Sequence, residues 1–240
     1  MLENEAALKI QHFFIDHRLK KQAALQQVIA DSPNSQLLQT IHLRFQCMRA
    51  VAAAKLPLSK PLEDKEQIVR VISGVTELAK ETGITNLDAV AQAFQHNIML
   101  STMIQVPYYD LIWRKSHRGT RDIQKLINHA YTQLQQLVFS HNLPIDSLHE
   151  KSCYSPEEVL DLARGIIQYA SKTIIKILAN PTRQELHAIS QAEFAAVIEE
   201  MLANYMTPTI LTRSKEAIYL LAQKMTECSP MPVSSFEAKL

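Results

Sequence analysis

The sequence predicts an all-α protein, a single domain in which about seven to nine helices form one bundle. Three observations predict it. Glycine is scarce, 4 residues in 240, where average usage of roughly 7% would give about 17. Apolar residues recur three and four apart over long stretches, the period of a helix with one buried face, and no stretch alternates as a strand does. Helix-start signals recur along the chain, a Ser or Asp standing three residues before a Glu or Gln. The same scarcity removes phosphate-cradling loops and dinucleotide fingerprints, because Gly74, Gly83, Gly119 and Gly165 never cluster.

The elements follow in order. Residues 4–31 place Leu8, Phe14, Ile15, Leu19, Leu25 and Ile29 at helical spacing, and Ser32-Pro33-Asn34-Ser35 ends that helix. A second helix runs over about 36–55 through Leu37, Leu38, Ile41, Phe45, Met48 and Val51. The stretch 56–63 holds two prolines, Pro57 and Pro61, and reads as a loop. Asp64 with Gln67 resembles a capping box and opens a third helix that Gly83 stops. A fourth starts near Asn86, and Pro107 is expected to interrupt or end it. Thr120 and Asp122 start a fifth, through Ile123, Ile127, Tyr131, Leu134 and Val138. Ser155-Pro156-Glu157-Glu158 starts a sixth that reaches about Ala179, Ser190 to Glu193 caps a seventh, and the last covers about 211–227.

With 47% hydrophobic residues the chain can bury a core, so wholesale disorder is not expected. A net charge of +1 argues against nucleic acid as the partner, since phosphate binding needs a concentrated basic surface. The most basic stretch, Arg114, Lys115, His117, Arg118 and Arg121, lacks interleaved aromatics and reads as a solvated helix junction. No membrane span is expected, because no apolar run approaches the 18 or so residues required. Residues 1–30 are charged throughout and do not read as a signal peptide, which leaves cytoplasmic and exported locations both open. Cys47, Cys153 and Cys228 form no CxxC, and the histidines show no paired i,i+4 spacing, so no metal site is expected. Cys47 reads as a core residue, and a Cys153–Cys228 disulfide is open in an oxidising compartment.

Three features can carry chemistry. Arg44 and Lys55 are eleven residues apart, which turns them only about 20° around one helix axis and separates them by about 16 Å along it. Their surroundings, Phe45, Met48, Val51 and three alanines, are apolar, and cations beside such a surface need a partner or must snorkel to water. Asp64 reads as an N-cap that can also border a cleft. Ser101 and Gln105, four apart, present two hydrogen-bonding groups from adjacent turns, or form the polar edge of an amphipathic helix.

The order Arg44, Lys55, Asp64, Ser101 and Gln105 resembles the all-α (type II) chorismate mutases, and best the secreted subclass in which one chain supplies the whole site. The stretch from Lys55 through Leu56-Pro57-Leu58-Ser59-Lys60-Pro61-Leu62-Glu63 to Asp64 is similar to that family's lysine-loop-aspartate segment. The helix from Phe94 to Gln105 is similar to its later site helix. The likeness spans about residues 36–135, within a core over 36–142. It leaves 4–31 as an extra N-terminal helix and 150–205 as a helical insertion.

The resemblance implies an isomerase of aromatic amino acid biosynthesis that rearranges chorismate to prephenate without a cofactor. Such an enzyme holds a flexible dianion in a compact conformer and stabilises charge growing on the ether oxygen. It implies that Arg44 grips a carboxylate, that Lys55 and Gln105 donate to the ether oxygen, that Asp64 borders the substrate hydroxyl, and that Ser101 helps hold a carboxylate. It also implies a periplasmic or secreted location. Two positions depart from the family: Gln67 and His129 stand where carboxylate-gripping arginines are usual, with Arg70, Arg118 and Arg121 near enough in sequence to compensate. Those departures support a competing reading, a helical binding or effector module that keeps the scaffold without catalysis and dimerises through its added helices.

Overall fold

The computed structural model of the chain describes residues 20–21, 23–32, 34–116, 120–145, 148, 151–180 and 190–228. Among these it is all-helical and has no strand. The helices are α1 (Ser35–Gln46), α2 (Met48–Lys55), α3 (Lys65–Glu81), α4 (Leu87–Ser116), α5 (Thr120–Ser140), α6 (Pro156–Leu178), α7 (Gln191–Leu202) and α8 (Pro208–Glu227). Of the expected N-terminal helix, residues 1–19 lie outside the described residues; 23–31 are helical and bury Leu25 and Ile29.

Local chemistry sets the boundaries. The single helix expected over 36–55 is two, meeting at Cys47. Cys47 Sγ donates to the Leu43 carbonyl at 3.4 Å, and its N–H turns to Arg44 O at 3.3 Å, a tighter turn than the α-helix makes. The Val51 N–H returns to Cys47 O at 3.0 Å, so α2 resumes at once. Asp64 Oδ1 caps α3 by accepting from the Gln67 N–H at 3.0 Å. The expected capping box is only half made, because Gln67 Oε1 accepts from Arg70 Nη2 at 3.0 Å instead. Gly83 ends the α3 turn with a φ of 86°, a conformation open to glycine without steric cost.

Pro107 does not end α4, which runs through it to Ser116. Proline removes the N–H that would reach the Met103 carbonyl. Buried Leu100 and Ile104 before it and Ile112 after it hold both halves in the core, where α4 packs along α8. Ser155 and Glu158 form a full capping box on α6, as do Ser190 and Glu193 on α7. The last helix starts at Pro208, earlier than its apolar pattern suggests, with Thr207 as N-cap and proline in the first turn.

One hydrophobic cluster takes side chains from Leu25 to Cys228. Each fully buried Leu, Ile or Phe in it contributes roughly 1.5–3 kcal/mol. Segments α1 and α2 sit at its centre, nearly every residue from Leu37 to Ala54 being buried. The stretch expected as an insertion supplies α6, which packs on α1, α2, α3 and α5 and buries Val159, Ala163, Ile166, Ala170 and Ile174 along one stripe. A polar tie fixes the other side of α1: His42 Nε2 and the Tyr205 hydroxyl share a hydrogen bond at 2.8 Å, while Arg49 Nη2 donates to Asn204 O at 3.0 Å. Burial is the main reason the His42 imidazole falls to about 4, so it is neutral there. All three cysteines are free; Cys228 is buried at the end of α8 and Cys153 exposed, so the disulfide considered between them is not formed. No helix among the described residues is long and apolar enough to cross a membrane.

Candidate functional site

A cavity of about 800 Å³ opens between α1, α2, α3, α4 and α6. The residues that build it come from the sequence signals in turn. The turn at Cys47 keeps Arg44 and Lys55 on one side of the α1–α2 rod, and both line the cavity. The proline loop folds back so that Lys55 Nζ donates to the Leu62 carbonyl at 2.7 Å, which sets Asp64 beside it. Gln67 and Arg70 follow from the first turns of α3, and Ser101 and Gln105 face in from α4. Seven of the eight residues singled out from sequence therefore converge on one space. His129 is the exception: it is exposed on α5 and does not line the cavity. Its neighbour Asn128 instead faces the segment before α6, where its side chain bonds Ser152 O and the Tyr154 N–H. Arg118 and the side chain of Arg121 lie outside the described residues.

Arg44 sets the electrostatics. It is only 2% exposed, and among the described residues no carboxylate lies within ion-pair distance of it. Its Nε donates to Asn97 Oδ1 at 2.8 Å, an Nη donates to the Ser171 hydroxyl, and its plane lies 5.4 Å from the Phe94 ring centre. Each of these partners is neutral. Burial pushes the guanidinium down to about 10, still well above neutral pH, so it stays charged. Holding the charge there costs on the order of 3 kcal/mol.

The lysine is also held below its ordinary value. Burial is the main cause; Asp64 opposes it, and the nearby Arg164 and Lys60 add to it. Along α4, Asn97, Ser101 and Gln105 are spaced by one turn each and are all buried. Asn97 Nδ2, Ser101 Oγ and Gln105 Oε1 have no hydrogen-bond partner among the described residues. A buried polar atom left unpaired costs roughly 1–3 kcal/mol. Gln105 Nε2 donates to Ser101 O at 3.2 Å and to Met48 Sδ at 3.5 Å, and the thioether is a weak acceptor that a ligand oxygen can replace.

Sequence reading missed the fifth wall. Helix α6 contributes Arg164, Gln168, Ser171 and Lys172 to the cavity. Their spacings of four, three and one place them on one side of that helix, beside its apolar stripe. That polar line was readable in the sequence; what faces it was not. Asn97 was missed for the same reason, its importance coming from a guanidinium 53 residues away.

Chemically the site offers three guanidinium and two ammonium groups, three carboxylates, and amide and hydroxyl groups around a largely apolar space. No histidine or cysteine is among its lining residues, and Cys47 behind it is an inert thiol pushed up to about 12 by burial. Among the described residues no set of His, Cys, Asp and Glu side chains is grouped to hold a metal ion. The arrangement suits holding an organic anion and stabilising negative charge. Among the described lining residues no hydroxyl is hydrogen-bonded to a histidine or carboxylate base. No family model, curated protein or solved structure matches the chain.

Proposed function

We propose that the protein is a chorismate mutase, an isomerase that converts chorismate to prephenate in this cavity. One observation carries the reading: Arg44 is a buried, charged guanidinium with no carboxylate of the described residues within ion-pair distance, at the wall of a cavity that also receives Lys55 and Gln105. A ligand carboxylate supplies the missing counter-charge, and the fork of the guanidinium suits it.

The reaction is a concerted rearrangement in which the ether C–O bond breaks as a C–C bond forms. No covalent intermediate is required. The protein's task is to select the compact conformer and to answer the charge growing on the ether oxygen. Lys55 Nζ and Gln105 Nε2 are the donors for that oxygen, Ser101 Oγ a donor to the carboxylate held by Arg44, and Asp64 an acceptor for the substrate hydroxyl. The apolar walls, Met48, Val51 and Ile98 among them, keep water from competing for these bonds.

Lys55→Ala tests the assignment. In that variant kcat for chorismate is expected to fall by about a hundredfold or more, the loss typical of removing one transition-state donor. Parental turnover in Lys55→Ala removes Lys55 from the mechanism.

The position of His129 favours a second reading, a binding module descended from such an enzyme. With His129 outside and Gln67 neutral, two sites of carboxylate recognition differ from the family's pattern. This reading predicts saturable binding of chorismate without formation of prephenate.

A further inference from the structure

We infer that α6 supplies the second half of the anion clamp, with Arg164 receiving the ligand's second carboxylate. The inference rests on the proposal that the cavity takes a small dianion. Charge balance requires another cation. Arg44 answers one carboxylate, while Lys55 lies in the field of the Asp64 carboxylate, which carries the opposite charge. Gln67 is neutral, and Arg70 and Lys172, which also line the cavity, are matched in charge by the lining carboxylates Glu77 and Glu81. Arg164 lines the cavity and is close enough to Lys55 to lower its proton affinity, so the two cations share one field.

The geometry of α6 fits this role. Ser171 accepts from Arg44, and Arg164 lies seven residues earlier on the same helix. Seven residues turn a helix by about 700°, so the two positions are about 20° apart around the axis and about 10 Å apart along it. A single helix face thus steadies one guanidinium at the buried end of the cavity and presents a second toward its mouth. Two anionic groups on one compact molecule can be gripped from opposite ends, which fixes its conformation as well as its location. Arg164 is available for this. Its partner Asp161, at 3.3 Å, is 72% exposed, and ion pairs in water exchange at little cost.

Steady-state kinetics on the full chain, with chorismate as the probe, tests the inference. Arg164→Ala is expected to raise KM about ten- to hundredfold, the worth of a charged hydrogen-bonded pair, with a smaller change in kcat and an unchanged Tm because the side chain is on the surface. Arg164→Lys should restore part of the loss, and Asp161→Asn, which frees the guanidinium, should leave KM at or below the parental value. Parental KM in Arg164→Ala overturns the role of α6. Isothermal titration with chorismate separates this from the catalytic proposal. A parent that binds without turnover, with binding weakened in Arg164→Ala, sinks the mutase reading and keeps the clamp. A parent that turns chorismate over, with Arg164→Ala unaffected, does the reverse, and a parent that neither binds nor reacts removes both.

Discussion

A glutamine at position 105 donates through an amide that does not titrate, whereas a glutamate there donates only when protonated. Gln105 is 5% exposed, so burial raises the pKa of a carboxyl group placed there. The sign follows. In the proposed reaction, Gln105→Glu holds a proton for the ether oxygen below that pKa, and above it a carboxylate opposes the charge growing there. Activity of Gln105→Glu should therefore be lost as pH rises through the carboxyl pKa, while the parent stays flat over the same range. A pH–kcat profile checks this, and coincident profiles would mean that Gln105 does not touch the reacting oxygen. At this scale the sequence was most legible where residues lie on one helix or one loop. Arg44 with Lys55, Asp64 with its cap, and Ser101 with Gln105 all follow from spacing. The groups that engage Arg44 do not, because Asn97 and Ser171 reach it from 53 and 127 residues away. His129 shows the converse: a position matched by resemblance whose side chain the packing of α5 leaves in solvent.

Elements followed their capping chemistry closely, and departed from expectation where tertiary packing outweighed a local signal. Ser155 and Ser190 fix the starts of α6 and α7 through reciprocal bonds that any reader of the sequence can anticipate. Pro107 is different. Its local cost in a helix interior, about 3 kcal/mol against alanine, is met by the buried residues on either side and by contact with α8. Pro107→Ala should accordingly raise stability, by about 2–2.5 kcal/mol after the added freedom of the unfolded chain is subtracted, and thermal denaturation reads it as a higher Tm. A lower Tm would mean that the proline shapes α4 in a way its neighbours depend on. Helix α6 carries the other lesson at this scale. Its sequence reads as an ordinary amphipathic helix, and only its position against α1 and α2 makes Arg164 and Ser171 part of a cavity.

Over the whole molecule, a nearly neutral chain gathers an excess of cations around one cavity. The net charge is +1, yet Arg44, Lys55, Arg70, Arg164 and Lys172 line it against the three carboxylates of Asp64, Glu77 and Glu81. Glycine-poor helices give that cavity rigid walls, which the proposed rearrangement would use to select one conformer. The arrangement has a thermodynamic signature. A buried cation without a counter-charge is destabilising, and an apolar residue of similar length in its place is often neutral or stabilising. Removing Arg44 also strips partners from Asn97 and Ser171, at roughly 1–3 kcal/mol, so the two effects nearly offset. Arg44→Met should fold with a Tm within a few degrees of the parent. The decisive measurement compares the two proteins in a chorismate consumption assay. The account predicts that the parent converts chorismate to prephenate without added cofactor and that folded Arg44→Met does not; a folded parent that leaves chorismate unchanged contradicts it.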